Sequence, residues 1–188
     1  RELLDGQVHV SEEEIVDSRR YLMTLAEDIV DDTVESHCGK DIDPEEWDTD
    51  ALAKSVGEVT GLTSDTVAAF DLDDKNPDEM HDTLWTAVKA HYEEKEQAVD
   101  RDTLRRIERD VMLQIADAQW KDHLYSLDHL KDGIGLRAHA QKDPLVEYKR
   151  ESFELFKEMK ERTDTEMVRY LWRLRPVAQG GSTQSVGR

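Results

Sequence analysis

Apolar residues along the 188-residue chain recur mostly at intervals of three and four, the spacing of one helix face. Ile15, Leu22, Leu25 and Ile29 form the first stripe, and Ser11 with Glu14 reads as the capping box that opens it. This helix is expected to stop near Cys38–Gly39, because glycine takes the left-handed position after a helix most readily. Asp43-Pro44-Glu45-Glu46 then supplies an N-cap, a proline at the first helical position and first-turn acids. A short helical stretch follows through Trp47, Leu52, Val56 and Val59 to Gly61, and Ser64 caps a further short turn through Val67 and Phe70. Asp71–Lys75 reads as a polar surface loop, and Asn76-Pro77-Asp78-Glu79 repeats the start signal for a helix through Leu84, Val88 and Tyr92. No stretch shows convincing period-2 alternation.

The second half is simpler. From Asp102 to about Lys131 there is neither Pro nor Gly. Leu104, Ile107, Val111, Ile115 and Ala118 mark one stripe, and Leu113, Trp120, Leu124 and Leu127 a second, so this helix is apolar over a wide arc. Gly133 and Gly135 are expected to break it. Pro144 restarts a helix through Leu145, Tyr148, Phe156, Met159, Met167, Leu171 and Leu174, ending before Pro176. Two helices of about thirty residues each run ~45 Å and, joined by a short connection, form a long antiparallel hairpin. The pattern therefore predicts an all-α fold, closed by a linker-like tail from Gly180 to Arg188.

Charge divides the chain at the same place. Residues 1–100 hold 29 Asp and Glu against 8 Lys and Arg, whereas residues 101–188 hold 15 against 17. The front half would be repelled by nucleic acid or an anionic membrane surface, so no nucleic-acid partner is expected. The excess of acid fits either a salt-adapted host or a surface for basic partners, and Asp outnumbering Glu with few Lys leans towards salt. One cysteine, Cys38, excludes an internal disulfide framework and a four-cysteine zinc module. No run approaches a membrane span, residues 1–10 lack the apolar core of a signal peptide, and a start at Arg1 fits a processed or excised piece.

Catalytic motifs are missing. There is no G-x-x-x-x-G-K-[ST] or G-x-G-x-x-G loop, no G-x-S-x-G elbow and no H-E-x-x-H pair. No catalytic or metal-ligating residue is assigned. His37-Cys38 with Glu35 and Asp41 lacks the partners a structural zinc needs and reads as a helix end with a half-buried thiol. Carboxylate runs read as solvated helix faces, and Trp47, Trp85, Trp120 and Trp172 as helix packing. The informative segment is the connection from Gly133 to Pro144, which is locally basic and interleaves Ile134 and Leu136 with Arg137, His139, Gln141 and Lys142. That mixture suits contact with another polypeptide. Ile134 and Leu136 folding back to cap the hairpin explains it equally well, and spacing alone leaves both readings open.

Val111-Met-Leu-Gln-Ile-Ala-Asp-Ala-Gln-Trp-Lys-Asp-His-Leu, Leu130-Lys-Asp-Gly-Ile-Gly-Leu-Arg, Ala140-Gln-Lys-Asp-Pro and Glu147-Tyr-Lys-Arg-Glu-Ser-Phe resemble the C-terminal part of the SecA family, bacterial preprotein translocase ATPases. The resemblance is dense from about Asp110 to Phe156, looser to Pro176, and before Asp100 rests on Arg1-Glu-Leu-Leu-Asp-Gly and helix order. It implies the end of a scaffold helix over residues 1–10, a helical wing domain over 11–100, the two-helix finger of the helical scaffold over 101–176 and a C-terminal linker over 177–188. It also implies that Ile134, Leu136, Arg137, His139, Gln141 and Lys142 meet the preprotein and the SecYEG channel. By the same resemblance ATP and Mg would belong to nucleotide-binding domains of the parent protein, so this part would need no cofactor and would not itself be an enzyme. Its further partners would be the remaining SecA domains, and its place the cytoplasmic face of the membrane, held peripherally through the parent. The family's finger tip commonly presents a bulky residue, often Tyr, where this chain has His139. Two other readings come from the residues alone: a free-standing acidic helical adaptor for basic protein partners, and a carboxylate hydrolase, for which no cleft-defining motif is present.

Overall fold

A computed structural model describes residues 7–9, 15–137 and 143–175. The described chain is all-α apart from one short ribbon, in which β1 (Gln7–His9) pairs antiparallel with β2 (Ile15–Asp17), Val8 opposite Val16. Two expectations fail here. The helix tail assigned by resemblance to residues 1–10 is extended at Gln7–His9. The first long helix opens not at Ser11–Glu14, which lie outside the described residues, but at α1 (Ser18–Cys38), whose N-cap Asp17 accepts from the Arg20 amide. The physical reason lies in Val16, which is buried: β-branched residues suit a pleated, half-buried ribbon, and three residues are too few for alternation to show in the sequence.

α1 ends where expected, by another route. Gly39 is extended rather than left-handed, and a Cβ there would lie 2.3 Å from the Glu35 carbonyl oxygen, so close approach selects the glycine. Pro44–Glu46 forms a single 3-10 turn with Asp43 as its N-cap, and α2 (Thr49–Thr60) has its own N-cap, Asp48. Gly61 closes α2 in the left-handed conformation, φ 73°. α3 (Ser64–Ala68) is capped by Thr63 rather than Ser64. The polar loop after it contains a 3-10 turn that buries Leu72. α4 (Pro77–Ala98) opens with the full capping box, Asn76 and Glu79 each bonding the other's backbone amide.

Leu22, Ala26, Val30 and Val34 of α1 and Met80, Leu84, Val88 and Tyr92 of α4 are rows at every fourth residue, and both rows are buried. α1 packs on α4 and α2. α5 (Arg101–Arg137) and α6 (Pro144–Arg173) pack along each other, and contacts pairing Gln119 with Glu166 and His123 with Phe156 make them antiparallel. At 1.5 Å per residue the 37 residues of α5 run ~55 Å. Gly133 and Gly135 do not break it. A glycine inside a helix costs only ~1 kcal/mol relative to alanine, which an established helix tolerates. The C-terminal part of α6 enters the wing core, where Met167, Val168, Leu171 and Trp172 are buried with α1 and α2 residues.

Candidate functional site

The connection between α5 and α6 was the sequence candidate. Ile134 is 6% exposed, as in the reading that it folds back on the hairpin. Leu136 and Arg137 lie in the last turn of α5, while His139, Gln141 and Lys142 lie outside the described residues. α6 begins directly after, with Pro144 at its first position and the Asp143 carboxylate accepting from the Leu145 amide at 2.9 Å.

Below this connection the hairpin carries large apolar side chains that no described residue covers. Trp120, Leu124 and Tyr125 of α5 and Leu145, Phe153 and Phe156 of α6 are exposed. Part of this surface is an apolar groove of about 540 Å³, walled by Met112, Trp120, Phe156 and Met159 with Val8 and Tyr21 at its wing end. His123 is buried beside it, its ring 5.5 Å from Trp120 and 5.9 Å, edge-on, from Phe156. Tyr21 donates to Asp164 across the groove's end at 3.4 Å. Burial, with the Asp164 charge behind it, pushes that phenol up to about 12. Trp120 was expected to pack between helices and does not. The available signal was the width of the α5 apolar arc, more than one partner helix covers.

At its base the hairpin is held by charge. Glu108 of α5, 1% exposed, is the one buried carboxylate among the described residues. It accepts from the Tyr92 hydroxyl of α4 and from Arg105. Arg105 also bonds Glu96 of α4, and Arg19 of α1 meets the same carboxylate at 2.9 Å. Burial first, then the Glu108 charge, pushes the Tyr92 phenol well up. Lys95 of α4 is 8% exposed and donates to the Leu171 carbonyl of α6 at 3.1 Å. Loss of solvent pulls its ammonium down to about 8. Every carboxylate in this cluster is matched by an arginine, so the cluster is an ion-pair joint rather than an acid–base pair facing a cleft. Elsewhere, Cys38 is buried, His37 bonds Ser55, and no metal-holding group of three ligands converges among the described residues.

Residues 8–175 match the family model described as SecA Wing and Scaffold domain. The protein translocase subunit SecA of Solibacter usitatus is 40% identical over 172 residues, 92% of this chain and 17% of that protein. The subunit of Carboxydothermus hydrogenoformans is 38% identical over 159 residues, 85% of this chain and 18% of that protein. That of Koribacter versatilis is 41% identical over 147 residues, 77% of this chain and 14% of that protein. The chain thus spans less than a fifth of the length of these relatives.

Proposed function

The chain belongs to the SecA wing and scaffold family, and from that premise we propose that it works as the lever of a protein-translocating ATPase. On this reading residues 11–100 are the wing and 101–176 the two-helix finger. The connection carrying Ile134, Leu136, Arg137, His139, Gln141 and Lys142 meets the preprotein and the SecYEG channel. The observation that supports it is the geometry of the hairpin: two helices of 37 and 30 residues, anchored at one end and exposed along the other. A helix pair so packed transmits displacement, because neither helix shifts without carrying the other. ATP and Mg act in other parts of the parent; this chain contributes no G-x-x-x-x-G-K-[ST] loop to hold phosphates. The apolar groove over Trp120 and Phe156 is the surface on which the remaining SecA domains pack. No described helix is long and apolar enough to cross a membrane, and attachment to the membrane is peripheral, through the channel.

The test uses the full-length parent with a photo-crosslinking residue at position 139 and, as control, at the exposed wing position Asp65. A stalled preprotein and the channel are expected to crosslink at 139 and not at 65. His139→Ala is expected to slow translocation with basal ATP turnover kept, and His139→Tyr to transport normally. Crosslinking at neither position, with equal transport by all three proteins, would overturn the contact role.

A further inference from the structure

Both helices of the hairpin are fastened to the wing. α6 is fastened by the burial of Met167, Val168, Leu171 and Trp172 in the wing core and by hydrogen bonds pairing Trp172 with the Val88 carbonyl and Lys95 with the Leu171 carbonyl. α5 packs chiefly along α6 and touches α1 and α4 only thinly. Met112 of α5 is buried in the same core, and the polar group around Glu108 is what bonds α5 to α4. Tyr92 is the point where the attachments meet. Its hydroxyl bonds Glu108 and Arg105 of α5, its ring lies 4.9 Å from the Trp172 ring of α6, and the guanidinium of Arg19 of α1 stands 5.8 Å over it. Charged hydrogen bonds hold only in a narrow range of geometries. A thin interface leaves relative motion as the default. Glu108 and Glu96 are matched by Arg105 and Arg19, with the half-exposed Glu93 also facing Arg19 at 3.8 Å. Removing one member leaves a buried charge unmatched.

We infer that Glu108, with Tyr92 and Arg105, is the positioning node of the wing–hairpin joint: closed, it fixes the angle of the hairpin; open, it lets the hairpin turn about its remaining anchors in the wing core. This rests on the reading of the hairpin as a lever and supplies the joint at which that lever is set.

The experiment needs neither channel nor nucleotide, so it can fail while the translocation reading stands, and the reverse. Spin labels are placed on α1 and α5 at the exposed positions Asp32→Cys and Lys121→Cys, in a Cys38→Ala background, and their separation is measured by pulsed dipolar spectroscopy. The labelled protein with the node intact is expected to give one narrow distribution. Glu108→Gln keeps an acceptor for Tyr92 but removes the charge facing Arg105, and Tyr92→Phe removes only the hydroxyl. Both are expected to broaden the distribution or add a second distance while the helical circular dichroism signal is retained. Combining them is expected to add little, because they open the same node. Val30→Ala, a core change outside the node, is expected to leave the distribution narrow. If Glu108→Gln fails to fold, Tyr92→Phe alone decides. An unchanged narrow distribution in the folded node variants, or equal broadening by Val30→Ala, would overturn the inference.

Discussion

Trp120 and Trp172 stand in adjoining helices of one hairpin, yet Trp172 is 0% exposed and Trp120 48%. Trp172 stacks on Tyr92 and donates its indole N–H to the Val88 carbonyl at 3.1 Å. Trp120 meets His123 and one edge of the apolar groove. The same residue type thus closes a core at the base and lines an unpartnered surface further out. Amphipathic patterning says that a residue belongs under cover; it does not say whether the cover is this chain. The base of the hairpin is stabilised from within the chain, whereas among the described residues the outer hairpin keeps its large apolar side chains exposed.

The sharpest way to break that contrast is to truncate each indole. Trp172→Ala removes a fully buried ring, its stacking and its hydrogen bond, and is expected to cost ~3–5 kcal/mol. Trp120→Ala is expected to cost about 1 kcal/mol or less, in the range of surface substitutions. Urea unfolding of both variants measures the difference, and equal losses would mean that the outer groove is covered in the isolated chain.

How much of this was open to sequence reasoning differs between the regions in the same way. The wing helices were legible because their signals are local: Asn76-Pro77-Asp78-Glu79 starts α4 as expected, and Gly61 ends α2 in the left-handed conformation. The Ser11–Glu14 signal misled, because pairing between Val8 and Val16 takes residues 15–17 into a ribbon, and three paired residues leave no period to read. The Tyr92–Glu108 node was invisible. Glu108 sits among charged residues in a helix stripe, and the hydroxyl that bonds it belongs to Tyr92, 16 positions away on another helix. The candidate connection was legible as unusual in composition, whereas the exposure of Trp120 and Phe156 needed the fold.

A second contrast lies between the two polar attachments of the base, Glu108 matched by arginine and Lys95 matched only by a carbonyl. The ordinary lysine value is 10.5, and in the fold Lys95 is drawn down to about 8. A lowered lysine value means that the folded state disfavours the charge. The cost is fully present below about pH 8 and is relieved as pH rises towards 10.5. The parent chain is therefore expected to gain stability between pH 8 and 10, before the phenols of Tyr21 and Tyr92, held up in the fold, begin to cost it above 10. Lys95→Met is expected to flatten that gain and to be more stable at neutral pH by ~1–2 kcal/mol, after the lost hydrogen bond to Leu171 is counted. Chemical unfolding at pH 7 and pH 9.5 checks both signs.

Charge density separates wing from hairpin again. Asp28 on α1 is pushed up by burial and then by Asp32 and Asp31, a local sign of crowding in a half with 29 acids against 8 bases. Salt screens such repulsion. The thermal midpoint is expected to rise with sodium chloride, and Asp31→Asn with Asp32→Asn is expected to raise it at low salt and weaken the salt response. A midpoint flat from low to molar salt would show that the acids are already balanced within the fold.

The smallest expected effect tests the outer hairpin alone. Gly133 lies inside α5, with nothing within 4 Å of the position a Cβ would take. No positive φ is involved, so alanine fits without strain. Exchanging glycine for alanine in a helix lowers the entropy of the unfolded chain and favours the helix by about 0.5–1 kcal/mol. The gain should appear where the helix opens locally rather than in the wing, because outer-hairpin amides exchange by fraying and not by global unfolding. Gly133→Ala is therefore expected to slow hydrogen exchange of the Ile134 to Arg137 amides several-fold, with the exchange of α1 and α4 amides unchanged. Had the helix ended at Gly133, alanine there would leave those amides unprotected, and that result would return α5 to the shorter length its glycines suggest.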